Sequence, residues 1–349
     1  MPVFPGLFEK LSILKNDEPG FLLDLAGTQG FRALCTAQKL GIFDSLHPEP
    51  LTADEIASRL GLNLRGTSLL LEALESLGYL EFKDDKYKNS KIATKWLLKS
   101  SPSSFASALP LYSSLAFEFS ELLEYTIREG KSHFTLHEWL RRNEDVDGDS
   151  QEFLLTPAQF STKEIADKID LPSTAKLMLD IGYSKGVYSR ELCRRHPELR
   201  SVVFESSLSN TTEKNLTDEF SGRIRTHRGS FFNSLPEESF DAVLLFNLLH
   251  RNDTATNESL LSNMEKILNP GAKLIIIDQL LDQAAGPAAK AFSRLQSLTL
   301  FNASGGQIYS FQEISDWLQK AGFTQINRKK LSTAPLFGLI STCKNGTLN

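Results

Sequence analysis

Lys176-Leu177-Met178-Leu179-Asp180-Ile181-Gly182-Tyr183-Ser184-Lys185-Gly186 decides the fold. An apolar run carrying one acid enters a tight loop with glycine at both ends, and Val187 to Arg195 then reads as a helix. Such a run is a strand buried on both faces, as in a parallel sheet. Ser201-Val202-Val203-Phe204-Glu205 repeats the pattern and ends on an acid 23 residues after Gly182. Strand, glycine-bearing turn, helix, strand and acid make the layout of a Rossmann-like nucleoside site. The turn lets main chain approach the ligand, and the acid bonds ribose hydroxyls. The loop itself reads Gly182-x-Ser184-x-Gly186. It lacks the Gly-x-Gly-x-x-Gly of dinucleotide folds, and no Gly-Lys-Ser/Thr follows, so neither NAD nor a phosphate-cradling loop is indicated.

Toward the C-terminus the strands continue. Arg223-Ile224-Arg225-Thr226-His227 leads into Gly229-Ser230-Phe231-Phe232, and Phe240 to Phe246 empties into Asn247-Leu248-Leu249-His250. Lys273-Leu274-Ile275-Ile276-Ile277-Asp278 follows an Asn269-Pro270-Gly271 turn. A helix over Phe311–Ala321, stopped by Gly322, precedes two strands around 324–331 and 336–343. A late hairpin on otherwise parallel strands predicts an α/β fold with a seven-stranded sheet.

Toward the N-terminus the chain reads as helical. Thr52 caps a helix with Glu55 three residues on, and Gly61 ends it. Leu64 to Leu77 forms the next helix, with Leu70, Leu71, Leu74 and Leu77 inward, and Gly78 stops it. Tyr79-Leu80-Glu81-Phe82 and Lys86-Tyr87-Lys88 make a two-stranded wing around Lys83-Asp84-Asp85, which completes a winged helix-turn-helix. A DNA reader needs cations on the helix that enters the groove. Residues 1–100 hold 12 Lys+Arg against 13 Asp+Glu, and that helix offers Arg65 and then Leu69-Leu70-Leu71-Glu72-Ala73-Leu74-Glu75. A packing or dimerisation module is the reading. The domains are then a winged-helix dimerisation domain at 1–100, a helical linker contributing to the substrate pocket at 101–170, and a Rossmann-like domain at 171–349.

Composition agrees with a globular protein: hydrophobic residues are 41% and charged residues 23%. A net charge of −5 argues against a nucleic-acid partner. No apolar run approaches the ~18 residues of a membrane span, and Met1-Pro2-Val3-Phe4-Pro5-Gly6 does not open a leader peptide. The expectation is a cytoplasmic protein with no membrane partner. Cys35, Cys193 and Cys343 are too scattered for a zinc site and read as free thiols.

Order and spacing together carry a resemblance. The chain resembles the caffeate/hydroxyindole type of S-adenosylmethionine-dependent O-methyltransferases, most of all their bacterial branch. The matching stretches are Gly229-Ser230-Phe231-Phe232-x-x-Leu235-Pro236, Phe240-Asp241 to His250, Leu268-Asn269-Pro270-Gly271, and Gly305-Gly306-x-x-Tyr309-Ser310 before Trp317-Leu318-x-x-Ala321-Gly322-Phe323. The resemblance covers nearly the whole chain. It implies a class I methyltransferase sheet, S-adenosyl-L-methionine as donor, a hydroxylated aromatic or polyketide-like small molecule as acceptor and a homodimer; no metal is expected. It implies that Asp180, Gly182 and Gly186 form the first donor loop and that Glu205 is the ribose acid. Ser230 and Phe231 flank adenine, Phe246 and Asn247 lie beside the sulfonium, and His250 is the general base.

The resemblance has departures. Ser184 stands where the family usually has Gly, Ser230 where it has Asp, Arg251-Asn252 where it has Asp-Trp, and Gln307-Ile308 where plant members carry an acid. Gln159 falls near a pocket position often held by Met. A second reading follows from them: a methyltransferase-fold protein with lost or altered chemistry. Several residues keep two readings. Lys185 either pairs with the donor carboxylate or is solvated, and Asp278 either orients His250 or ends its strand. Tyr309 and Phe301 either line a cavity or pack. His133 and His137, four apart, read as structural, and Asp145, Asp147 and Asp149 as a solvated turn.

Overall fold

The structure, a computed structural model, describes residues 15, 19–133, 135–140, 142–143, 161–182, 184–206, 220, 222–230 and 234–346. They fall into two compact units, one running to Phe117 and the other starting at Glu118.

The first unit holds α1 (Phe21–Leu40), α2 (Ile42–Ser45), α3 (Ala53–Leu60), α4 (Leu64–Ser76), a ribbon of β1 (Leu80–Lys83) and β2 (Lys86–Asn89), then α5 (Lys91–Trp96) and α6 (Leu109–Phe117). Thr52 accepts from the Glu55 amide at 3.2 Å while Glu55 accepts from the Thr52 amide at 2.7 Å, so both ends of the expected capping box are made. Gly61 closes α3 in the left-handed region, with φ 66°. The wing turns through Asp84 (φ 53°) and Asp85 (φ 61°), the paired left-handed residues that a two-residue hairpin needs. Ile42, Phe43, Ile56, Leu71 and Leu74 are fully buried and form the centre of this unit's core.

The second unit begins with α7 (Leu123–Glu129) and α8 (Leu136–Leu140), followed by α9 over 161–168. Then come β3 (Leu177–Gly182), α10 (Val187–Arg195), β4 (Arg200–Ser206), β5 (Ile224–Gly229), β6 (Phe240–Phe246), α11 (Thr254–Ile267), β7 (Leu268–Gln279), α12 (Gly286–Ser304), α13 (Phe311–Lys320), β8 (Phe323–Lys330) and β9 (Phe337–Lys344). The seven strands order as β5-β4-β3-β6-β7-β9-β8; the first five are parallel, and β9 and β8 are antiparallel additions, as expected. The twofold period of the strands sorts their side chains to opposite faces. Leu179, Ile181, Val243, Leu245, Leu274 and Ile276 pack with α11 and α13. Met178, Val203, Ala242, Leu244, Ile275 and Ile277 pack with α9 and α10. Each Val, Leu, Ile or Met side chain among them contributes roughly 1.5–3 kcal/mol by leaving water.

At the N-terminal edge of the sheet Asp241 is a clamp. It accepts from the Lys176 and Leu177 amides at 2.8 and 3.0 Å and from the Asn269 side chain at 2.8 Å. This accounts for two motif positions in structural terms. The strand β7 starts earlier than expected, at Leu268. Its ladder steps from Phe240↔Leu268 to Ala242↔Lys273, so the Asn269-Pro270-Gly271 turn is a bulge inside the strand rather than a turn before it.

Candidate active site

Parallel strands end on one edge, and the crevice beyond that edge is where such sheets bind ligands. Gly182 ends β3, Glu205 lies at the end of β4, Ser230 follows β5, and Phe246-Asn247 closes β6. Phe231 and Tyr183 lie outside the described residues, as do Gln159, Asp145, Asp147 and Asp149.

The first loop is pinned from inside. Asp180 is buried and accepts from Ser184 Oγ at 3.0 and 3.1 Å and from Ser189 Oγ at 2.7 Å; Ser189 in turn meets Ser201 Oγ at 2.8 Å. Burial raises the Asp180 carboxyl, and the Ser189 and Ser184 bonds only partly counter it. Asp180 therefore serves the site by holding the loop, with its carboxylate turned inward. Ser184 folds its extra atoms into the same network: it is 1% exposed and also accepts from the Gly186 amide at 3.3 Å. Lys185 (φ 45°) and Gly186 (φ 74°) are both left-handed, which turns the chain sharply into α10.

At Gly182 the main chain of β6 leaves no room for a side chain. A β-carbon built there would sit 3.0 Å from the Phe246 carbonyl carbon and nearer still to its oxygen, and φ is 132°. Phe246 contributes main chain at this point. Its ring is 1% exposed and stands edge-on to Tyr188 at 5.0 Å, inside the core rather than facing the crevice. Asn247 is left-handed (φ 56°) and 5% exposed, its amide bonds the Ile277 carbonyl, and its Oδ1 is buried with no hydrogen-bond partner among the described residues. Glu205 lies 3.4 Å from the guanidinium of Arg228 on β5. The Ser230 amide donates to Ser234 Oγ at 2.6 Å.

His250 lies in a short turn after β6 and is 5% exposed. Its Nδ1 is 2.5 Å from Asp278 Oδ1, and Asp278 is itself 1% exposed. The Asp278 carboxylate also accepts from the Leu248, Leu249 and Gln279 amides at 3.0, 2.7 and 2.8 Å. Of the two readings of Asp278, the bond to His250 is the one made. Four bonds to one carboxylate keep it an acceptor, so Nδ1 carries the proton and Nε2 is the lone-pair nitrogen. Nε2 makes no hydrogen bond to the described residues.

Sequence reasoning missed the support around these groups. Ser189 lies nine residues after Asp180 in the first turn of α10, the one signal that was available. Asn257, fully buried, donates to the Leu249 carbonyl at 2.9 Å. Tyr309 packs on Trp317 and donates its hydroxyl to the Asn252 carbonyl at 2.7 Å. Away from the edge, His133 stands edge-on to Tyr125 at 4.9 Å, and the His137 side chain lies outside what is described.

Residues 112–324 match the O-methyltransferase domain and residues 27–100 the O-methyltransferase dimerisation domain. This chain belongs to the O-methyltransferase family. A 3-hydroxy-5-methyl-1-naphthoate 3-O-methyltransferase of Streptomyces sahachiroi is 27% identical over 93% of this chain and 95% of its own. A tetracenomycin polyketide synthesis 8-O-methyl transferase of Streptomyces glaucescens is 26% identical over 90% and 94%. The crystal structure of human N-acetylserotonin methyltransferase in complex with S-adenosylmethionine superposes with a TM-score of 0.81 at 25% identity, covering 98% of this chain and 100% of the other. Among the described residues no helix is long and apolar enough to cross a membrane.

Proposed function

We propose that this S-adenosylmethionine-dependent O-methyltransferase methylates a hydroxyl of an aromatic or polyketide-like small molecule, with His250 as the general base. The carrying observation is the 2.5 Å contact between His250 Nδ1 and the buried, amide-held Asp278. The relatives named for naphthoate and tetracenomycin support the acceptor class.

The edge has the features the donor needs. Gly182 lets the ends of β3 and β6 meet main chain to main chain at the edge, and Asn247 Oδ1 is a buried acceptor waiting for a donor group. An unpaired buried acceptor costs about 1–3 kcal/mol, and a ligand N–H or O–H removes that cost. Ser184 leaves the edge clear, because it is buried and its hydroxyl is spent on Asp180. Glu205 and Ser230 line the same edge toward β5, for the ribose and adenine.

When bound, the sulfonium donor supplies a methyl group already activated for displacement. The chain's own work is then positioning and proton removal. A phenol of pKa ~10 is mostly neutral at pH 7. His250 Nε2 takes its proton, and the imidazolium that results is stabilised by Asp278 at Nδ1. The test is His250→Asn. Turnover should fall by roughly 10²–10⁴-fold with the affinity for S-adenosylhomocysteine unchanged. Undiminished turnover would remove His250 from the chemistry.

A further inference from the structure

The Gly305-Gly306-x-x-Tyr309 motif has no part in the chemistry derived so far. Gly305 closes α12 in the left-handed region (φ 77°), but Gly306 has no such constraint; what it needs is space. A β-carbon built on Gly306 would lie 2.6 Å from the Arg251 carbonyl carbon and 2.9 Å from its Cα, and closer still to the His250 carbonyl oxygen. All three are main-chain atoms, so no side-chain rotation makes room. Three residues on, Tyr309 donates to the Asn252 carbonyl at 2.7 Å, and its own main chain bridges to Leu280, two residues past Asp278. Burial pushes the Tyr309 phenol up to about 12, so it remains a proton donor.

We propose that Gly306 and Tyr309 are positioning residues for His250: the loop they anchor is pressed against the main chain at 250–252 and sets the distance of the imidazole from Asp278. This rests on the reading of His250 as the base. The Asp278 side fixes the amides at 248 and 249 and the ring nitrogen, whereas on the other side Gly306 abuts the His250 carbonyl and Tyr309 holds the Asn252 carbonyl. A shift of a few tenths of an ångström on the second side therefore changes the 2.5 Å contact on the first.

The experiment is nitrogen-15 NMR of histidine-labelled protein at pH 8, with the other five histidines as internal controls. Wild type should show His250 with Nδ1 protonated and Nε2 bare. In Gly306→Ala the His250 signals should move or split toward the other tautomer, while the remaining histidines and the S-adenosylhomocysteine affinity (within about twofold by calorimetry) stay as in wild type. Tyr309→Phe adds no atom and should move the same signals by less; it decides the matter if Gly306→Ala does not fold. Unmoved His250 signals in the folded variants overturn the positioning role. A wild-type His250 that already carries its proton on Nε2 overturns the base itself, whatever the variants do.

Discussion

At the scale of single residues the site is built from side chains that hold other groups still. Asp278 is the clearest case, since one carboxylate gathers three amides and an imidazole. Asp278→Asn should lower turnover by about 10²-fold or more, because an amide can turn its NH₂ toward Nδ1 and favour the wrong tautomer; steady-state kinetics reads this as a fall in kcat with little change in KM. Gly182→Ala should be severe for a different reason. It places a β-carbon against the Phe246 carbonyl at a φ of 132°, and roughly 2 kcal/mol or more of stability should be lost on urea unfolding. His250 was legible as a strand-end residue in a family-like motif. The inward turn of Asp180 was not, because its partners Ser184 and Ser189 become neighbours only once the loop closes. Nor did sequence position tell that the Phe246 ring enters the core and leaves its carbonyl at the edge.

At the scale of elements the strands announced themselves because parallel strands are apolar on both faces, and the caps because their chemistry is local. Thr52→Ala should cost about 1 kcal/mol, measured by thermal unfolding. What stayed hidden depends on pairing between distant segments, such as the bulge of β7, which exists only relative to β6. Two acids of the sheet should give opposite pH dependences. Burial pushes the Asp241 carboxyl up, but the bonds from Lys176, Asn269 and Leu177 outweigh it and hold the group below its ordinary value. Its stabilisation is therefore present above the ordinary carboxylate pKa of ~3.9 and is lost as pH falls through the depressed value. Asp180 is raised, so its contribution is full below ~3.9 and is lost as pH rises through the folded-state value. Urea titrations at several pH values should show Asp241→Asn losing more stability at pH 7 than at pH 3. Asp180→Asn should gain on wild type as pH rises from 4.

At the scale of the whole molecule, an O-methyltransferase dimerisation domain precedes the catalytic one. Phe21, Leu22 and Leu25 of α1 are exposed, as are Phe292 and Leu295 of α12. Apolar surface of that kind marks faces for association. Light scattering should give a particle of twice the 38.9 kDa chain mass, and Leu25→Asp with Leu295→Asp should shift it toward one copy. The winged helix was readable without a partner in view, and the apolar and acidic residues of α4 argued for packing rather than DNA. The acceptor was not readable, because a pocket's shape depends on side chains that separate segments bring together.

The proposed chemistry requires the carboxyl edge of β3 to β6 to receive an adenosyl sulfonium beside Gly182 and Asn247. Isothermal calorimetry with S-adenosylhomocysteine, on wild type and Asn247→Leu, asks this directly. One site per chain is expected in wild type, with at least a tenfold loss of affinity in the variant. No heat of binding at millimolar ligand in the folded wild-type enzyme would contradict it.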